Sequence, residues 1–269
     1  MPSLSVWFEN LFFGGSADQN VRRVAAVIGS GGKTSLIWRL AGAFSRPDAF
    51  APGRKILITP TAKMLVPPEA SGLYDYYFDF NTPNDRHRFL AGPSPGITLA
   101  GTFNTGTNKL EALPPPVLEE MTTAYDLVLA EADGSRGLPL KAWCETEPVV
   151  PPYVNHTIGI LPLWPIGKAV SGELIHRLEL FLALTGAAPE EIINNGHLLK
   201  LITGNGKSSP SGLFAKALGK KILFFNQIED EQTFAYARNL SKLLPSQFRS
   251  GLSNIIAGSV KLDSVEELG

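Results

Sequence analysis

Cysteine is almost absent from this 269-residue sequence, and so are long apolar runs. The single cysteine, Cys144, can form no disulfide within the chain and cannot by itself hold zinc or an iron–sulfur cluster. No apolar run approaches the roughly 20 residues that span a bilayer. The N-terminus has no basic segment before its apolar residues, so it does not resemble a secretory signal. We therefore expect a cytoplasmic protein with no membrane partner.

An excess of charge of either sign is also lacking. The chain has 24 Lys and Arg against 25 Asp and Glu, a net charge of −1. A broad basic face for nucleic acid would need a surplus of Lys and Arg, so we expect no nucleic-acid partner. Hydrophobic residues make up 44% and charged residues 18%, as in a globular protein with a sizeable core.

Short apolar runs rich in β-branched residues alternate with stretches of helical periodicity. Such an alternation predicts an α/β fold, with a mainly parallel sheet and helices on both faces, in the three-layer arrangement of P-loop NTPases. We expect one domain over residues 1–269, with a helical insertion at about 171–218 as an option. The predicted strands are 24–28, 55–59, 97–101, 125–131, 156–161, 221–225 and 254–258. The predicted helices begin near 34 and lie near 115–123, 171–186, 189–203, 210–218 and 230–244. Residues 66–95 are a surface insertion or an edge strand.

A glycine-rich loop stands between the first strand and the first helix. Glycines let successive N–H groups approach an anion, and a helix N-terminus adds a favourable dipole. Lys33 can reach the β- and γ-phosphates, and the Thr34 hydroxyl can hold Mg²⁺. Val27 stands where G-x-x-x-x-G-K-[ST] has its first glycine, so the match is incomplete. The alternative is a glycine-rich turn with a surface lysine. The predicted nucleotide-binding residues here are Gly29, Ser30, Gly31, Gly32, Lys33, Thr34 and Ser35.

Two carboxylates end the predicted strand 125–131. Glu131 and Asp133 are two residues apart in an extended segment, so they point to the same side of the chain. Ligands of open α/β sheets bind outside the carboxyl ends of the strands, where the glycine-rich loop also lies. We therefore predict that the pair takes part in catalysis and, with Thr34, holds Mg²⁺. Alternatively, Asp133 only starts a turn and Glu131 pairs with a lysine.

Further polar residues follow the predicted strand ends. Thr59 and Thr61 are candidate nucleotide ligands, and Lys63 suits a γ-phosphate or an anionic second substrate. Arg136 and Lys141 are candidates for stabilising charge on a transferred phosphoryl group. An ordinary strand-end turn and solvated loop cations would produce the same pattern.

Asn226 follows another predicted strand, at the start of a segment similar to the N-K-x-D signature with which GTPases bind guanine. Gln227 replaces the lysine and the acid is displaced, so the pattern does not specify guanine and the nucleotide is ATP or GTP. His176, Arg177 and Cys144 receive no role from the residues alone. A packed histidine and an inert thiol are the usual outcomes.

Together these segments resemble the YqeC-type selenium-dependent hydroxylase accessory proteins, also described as selenium cofactor biosynthesis proteins. The most specific likeness is E-A-D-G-S-R-G-L-P-L-K at 131–141, and the likeness runs from about residue 20 to 260. It also covers V-I-G-S-G-G-K-T at 27–34 and L-I-T-P-T-A-K-M at 57–64. The resemblance implies nucleotide-dependent help in maturing selenium-containing molybdenum hydroxylases. The hydroxylase or its cofactor is then a partner.

The leading hypothesis is a Mg²⁺-dependent NTPase or a phosphoryl-transfer enzyme that uses ATP or GTP and acts on a small anionic substrate. One alternative is a nucleotide-gated chaperone or insertase for an apo-hydroxylase. Another is an ATP-dependent ligase like the Mur amide ligases, whose loop reads G-T-x-G-K-T-T. A nucleotide-free scaffold is the fourth. The sequence leaves the second substrate and the oligomeric state open.

Overall fold

The computed structural model describes residues 1–14, 22–46, 53–204 and 212–268. Its strands are β1 Val24–Gly29, β2 Lys55–Pro60, β3 Lys63–Met64, β4 Tyr76–Asp79, β5 Gly96–Asn104, β6 Lys109–Glu111, β7 Leu127–Glu131, β8 Leu140–Lys141, β9 His156–Pro162, β10 Ile175–His176, β11 Lys220–Asn226, β12 Asn254–Ser259 and β13 Ser264–Glu267. Its helices are α1 Leu4–Phe13, α2 Lys33–Phe44, α3 Pro83–Leu90, α4 Pro115–Met121, α5 Leu178–Thr185, α6 Asn195–Thr203, α7 Glu231–Leu243 and α8 Ser246–Arg249. A short 3₁₀ helix covers Glu69–Ser71.

A mostly parallel sheet forms the centre of the molecule, as predicted. Over the described residues its strand order is β13-β12-β11-β9-β1-β7-β2-β5-β6-β3, and β4 pairs with β5 at the edge. The pairings among β12, β11, β9, β1, β7, β2, β5 and β4 are parallel, whereas β13, β6 and β3 pair antiparallel. All seven predicted strands are present, because apolar runs buried on both faces suit a covered parallel sheet.

Helices cover both faces of this sheet. Strand β1 alternates between two cores: Ala25 and Val27 pack on one side, and Val24, Ala26 and Ile28 on the other. Helices α1 and α2 belong to the first side, and α4 to α7 to the second. No helix within the described residues is long and apolar enough to cross a membrane.

Three helical predictions need correction. The pattern near 171–186 forms a helix only at α5, because Ile175–His176 pair with β8 instead. The pattern near 189–203 forms a helix only at α6. Residues 212–218 form turns rather than a helix, with Phe214 buried in the core, and residues 205–211 lie outside the described part. In the segment 66–95, the edge-strand alternative is correct for β4.

The strand register places the predicted site residues at one edge of the sheet. Val27 lies beside Glu131, and Glu131 lies beside Pro60 on its other side. Gly29 pairs with Ile160, and Asn226 with Pro162. The carboxyl ends of five parallel strands therefore meet at the start of α2.

Candidate functional site

The glycine-rich loop joins β1 to α2 through backbone that only glycine adopts easily. Gly31 and Gly32 have φ values of 74° and 125°, and a Cβ on Gly32 would strike the Asn226 amide. The first loop amides are already used, since Gly29 N–H donates to Asp133 at 3.0 Å and Ser30 N–H to Ile160 at 3.0 Å. The next five amides differ from these two. The amides with no hydrogen-bond acceptor among the described residues are those of Gly31, Gly32, Lys33, Thr34 and Ser35.

Lys33 lies over this loop and is only 4% exposed. Its Nζ donates to the Gly29 carbonyl at 2.7 Å and is 3.3 Å from Asp133 Oδ1. The lysine is therefore neither a surface residue nor turned away from the acids. An ammonium held at the loop by a backbone carbonyl and one carboxylate is available to an anion that reaches the loop amides.

Glu131 and Asp133 both contact the loop, but in different ways. Glu131 accepts a hydrogen bond from the Thr34 hydroxyl at 2.8 Å and lines a cleft. Burial raises the pKa of Glu131, and the charge of Lys33 and the Thr34 hydrogen bond oppose that rise. Asp133 is completely buried, and its Oδ2 accepts from Gly29 and, at 2.7 Å, from Trp143 Nε1. Asp133 is thus occupied by protein groups, whereas Glu131 faces the cleft.

Lys141 lies behind Asp133 and does not line the cleft. Its fully buried Nζ is 3.2 Å from Asp133 Oδ2, 2.8 Å from Glu147 Oε2 and 2.7 Å from the Gly134 carbonyl. The prediction that Lys141 neutralises charge on a transferred group therefore needs correction: its position is structural. Arg177 completes the network with bonds of 2.6 and 2.9 Å to Glu147. We call Lys33, Asp133, Lys141, Glu147 and Arg177 the inner charge network.

The charges of the inner network shift each other's proton equilibria. Burial acts to raise the pKa of Glu147, but its hydrogen bonds to Arg177 and Lys141 outweigh burial and lower it to about 2. Hydrogen bonding to Glu147 in turn raises the pKa of Arg177. Burial, together with the charges of Arg177, Lys141 and Arg136, lowers the pKa of His176 to about 4. His176 is therefore neutral at pH 7.

A cleft of about 720 Å³ opens in front of the loop. Besides Lys33, three cations among the described residues line it, and we call Lys63, Lys109 and Arg136 the rim. Lys63 is half exposed and pairs with Glu111 at 2.8 Å. Arg136 is exposed, with φ 54°. Lys109 was not predicted, because the hairpin of β5 and β6 that carries it has no strong sequence signal.

The hydroxyls of Thr59 and Thr61 do not reach this cleft. Thr59 is buried, and the one hydrogen-bond partner of its hydroxyl among the described residues is the Pro60 carbonyl, at 3.4 Å. Thr61 donates to the Val149 carbonyl at 2.6 Å. Their predicted role as nucleotide ligands therefore does not agree with the geometry. Thr61 instead ties the segment after β2 to the loop that follows β8.

Asn226 supports the glycine-rich loop from the neighbouring strand. Its Nδ2 donates to the Gly31 carbonyl at 2.8 Å, and its Oδ1 accepts from Val260 N–H at 3.0 Å. Asp230 caps helix α7 by accepting from Thr233 N–H at 2.7 Å. The acid three residues after Asn226 is Glu229, which lines a second cleft beside the loop rather than the cleft in front of it. The spacing is therefore that of the signature, with glutamate in place of aspartate.

Cys144 is not part of the inner charge network. Its Sγ is 3.3 Å from the Thr146 hydroxyl, and hydrogen bonding to Thr146 lowers the pKa of the thiol. It does not line the cleft in front of the loop. Within the described residues there is also no cluster of three or more His, Cys, Asp or Glu side chains that could hold a metal. A cation here would need ligands from a hydroxyl and a bound phosphate as well as from Glu131.

Comparison with known proteins gives two matches. The family model "YqeC protein" matches residues 25–179, which include the glycine-rich loop, both carboxylates and the inner charge network. A protein of Escherichia coli (strain K12) described as "Uncharacterized protein YqeC" is 30% identical over 226 residues, covering 82% of each chain. No solved structure matches the chain.

Proposed function

The chain belongs to the YqeC family, and we propose that it binds a nucleoside triphosphate with Mg²⁺ and transfers or hydrolyses its terminal phosphoryl group. The observation that carries the proposal is the run of five amides, Gly31 to Ser35, that find no acceptor within the described part of the chain and lie beside the ammonium of Lys33. Successive N–H groups at a helix N-terminus favour an anion through both their hydrogen bonds and the helix dipole.

The residues beside the loop are suitable for Mg²⁺. Mg²⁺ prefers oxygen ligands, and proteins usually hold it with one or two carboxylates together with substrate phosphates. The Thr34 hydroxyl and the Glu131 carboxylate lie 2.8 Å apart at the loop. Burial raises the pKa of Glu131 because it disfavours the charged carboxylate. A divalent cation beside the carboxylate would have the opposite effect and favour its charged form. When bound, the cation would neutralise phosphate charge.

The roles of the remaining groups follow from their exposure. The Lys33 ammonium would exchange its hydrogen bond to the Gly29 carbonyl for one to a bound phosphate and would keep its ion pair with Asp133. The rim cations Lys63, Lys109 and Arg136 would bind the transferred group or an anionic second substrate. The cleft also leaves space for that second substrate beside the loop.

The biological setting that we propose is the maturation of selenium-dependent molybdenum hydroxylases. The family resemblance supports this setting, and the cationic rim of the cleft supports an anionic second substrate. A small precursor of the hydroxylase's cofactor and the apo-hydroxylase itself are both compatible with an open, cationic cleft.

Calorimetric titration of the purified protein with Mg-ATP and Mg-GTP tests the proposal. We expect binding of at least one nucleotide, lost by a factor of about 100 in Lys33→Ala because a charge-assisted phosphate contact disappears. Lys33 also pairs with buried Asp133, so Thr34→Val provides a second variant that leaves this pair intact. It should weaken binding only when Mg²⁺ is present.

Lys242→Ala is the matched control, since Lys242 is an exposed lysine on helix α7, away from the loop. Absence of heat and of competition with either nucleotide in the wild type would refute the proposal. If binding occurs, product analysis separates the alternatives. Nucleotide-dependent capture of the apo-hydroxylase without rapid turnover indicates a chaperone, and ADP release that requires both an acid and an amine indicates a ligase.

A further inference from the structure

We propose that the nucleotide is a guanine nucleotide, and that the carboxylate of Glu229 recognises its base. This inference rests on the proposed function, because it assumes that phosphates occupy the glycine-rich loop. It concerns a second cleft beside the loop, which shares Gly32 and Ser35 with the phosphate site but places Glu229, Ser259 and Lys261 away from it. The lining residues used in the argument are Gly32, Ser35, Gln227, Glu229, Ser259 and Lys261.

The second cleft continues from the first at the start of α2. It has a volume of about 850 Å³, and it shares Gly32, Ser35 and Gln227 with the cleft in front of the loop. A triphosphate bound to the amides of residues 31–35 therefore has space for its nucleoside on this side. The ends of β11 and β12 form the wall of that space.

Asn226 is not free to recognise the base, although it was predicted as a nucleotide ligand. Both ends of its amide are used within the protein, by the Gly31 carbonyl and by Val260 N–H. It is 2% exposed. Its contribution is to hold the glycine-rich loop against the chain that follows β12. Base recognition must therefore come from other groups in the cleft.

Glu229 is held in place by the end of β12. Its Oε1 accepts from the buried Ser259 hydroxyl at 3.2 Å, and its Oε2 is 3.1 Å from Lys261 Nζ. The Ser259 hydroxyl also accepts from Leu262 N–H at 3.2 Å, so its own orientation is fixed. A carboxylate has about four acceptor sites, so two remain for a ligand. Glu229 therefore presents a pair of acceptors and no donor.

Among the common bases, guanine matches such a pair. Its N1–H and N2–H₂ groups are adjacent donors that a carboxylate can accept together. Adenine and cytosine each place a ring nitrogen acceptor next to their amine, and that acceptor would face a carboxylate oxygen unfavourably. The main-chain N–H of Lys261 has no acceptor among the described residues, which leaves a donor for guanine O6 in the same cleft.

The inference predicts a defined order of affinities in competition calorimetry with Mg²⁺ present. Wild-type protein should bind GTP about tenfold to a hundredfold more tightly than ATP, the usual discrimination of a bidentate base contact. Inosine triphosphate lacks the N2 amine and should bind more weakly than GTP. This comparison needs no variant, so it is independent of any effect of mutation on folding.

Glu229→Gln is the variant that tests the residue. It replaces one acceptor with an N–H₂ donor, so it should lose the preference for GTP and gain affinity for xanthosine triphosphate, which has a carbonyl at C2. Asp230→Asn is the control, because asparagine also caps a helix and Asp230 is the adjacent acid. It should keep the wild-type order of affinities.

The outcomes separate the inference from the function on which it depends. Binding of Mg-ATP and Mg-GTP within twofold of each other, or an unchanged preference in Glu229→Gln, would overturn guanine recognition and leave the phosphate site standing. Failure of both nucleotides to bind would refute the phosphate site, and base recognition with it.

Discussion

The inner charge network and the rim are both built from charged side chains, yet their environments are opposite. Lys141 and Asp133 of the network are completely buried, and Lys33 is nearly so. On the rim, Lys63 is half exposed and Arg136 is exposed. Buried charges are expensive to leave without partners, whereas an exposed ion pair contributes little. The network therefore holds the loop in place, whereas the rim cations can leave their protein partners and bind anionic groups of a substrate.

The same contrast between buried and exposed charges separates the two acids, Asp133 and Glu131. Asp133 receives hydrogen bonds from Gly29 and Trp143 and lies within 3.3 Å of two lysines. These contacts fix the first residue of the loop relative to β7. Over the described ranges, the Glu131 side chain accepts one hydrogen bond, from Thr34, and Glu131 lines the cleft. Two carboxylates two residues apart thus have different surroundings: Asp133 contacts protein groups, and Glu131 lines the cleft.

The largest effect should come from breaking the network at its centre. Lys141→Met removes a buried ammonium and leaves Asp133 and Glu147 without one of their partners. Loss of one member of a buried ion pair typically lowers the free energy of unfolding by about 3–5 kcal/mol. Urea unfolding at pH 7 measures it. Lys63→Met on the rim is the matched control and should leave the midpoint almost unchanged; equal losses in the two variants would contradict the division.

The second-largest effect should be a loss of stability in acid, when Glu147 is protonated. The pKa of Glu147 is about 2 in the folded protein, against 4.5 ordinarily, because Arg177 and Lys141 hold its charged form. A carboxyl whose pKa is lowered by folding stabilises fully above the unfolded value. We therefore expect the stabilisation, at most about 3 kcal/mol, to be present above pH 4.5 and to be lost as pH falls toward 2.

The measurement is the free energy of unfolding at several pH values between 6 and 2, in the wild type and in Glu147→Gln. The variant should be less stable at pH 6 and should lose less on acidification, because it has no carboxyl at this position to protonate. The difference between the two curves isolates Glu147 from the other acids. Parallel curves would show that the Arg177 and Lys141 contacts do not govern its titration.

Sequence reasoning was most successful where the chain is regular. Apolar strands predicted the parallel sheet, and the carboxyl ends of parallel strands necessarily share an edge, so Gly29, Glu131 and Asn226 are correctly placed together. The role of Lys141 could not be predicted, because it depends on contacts made after the strand ends. Its partner Glu147 lies in a loop, and Arg177, which binds Glu147, directly follows β10, the strand that pairs with β8.

The same limit applies to the hydroxyls and to the rim. Thr61 looked like a nucleotide ligand because it follows a strand, but the chain folds Val149 against it and uses the hydroxyl. Lys109 was missed because a three-residue antiparallel strand has too few residues to show a pattern. A residue that directly follows a parallel strand can be assigned from the sequence to the carboxyl edge of the sheet. Which side chains face the cleft is decided by tertiary partners that are distant in sequence.

The smallest effect on stability, with the clearest effect on function, should come from the rim. Arg136→Ala removes an exposed cation that lines the cleft and has no hydrogen-bond or ion-pair partner among the described residues. Its melting temperature should equal that of the wild type, while kcat/KM for nucleotide turnover falls about tenfold because charge on the transferred group loses a counterion. Added salt should reduce the wild-type rate toward that of the variant, since exposed charges are screened. An unchanged kcat/KM would place the anionic substrate away from Arg136, and a lowered melting temperature would show that Arg136 belongs with the inner network after all.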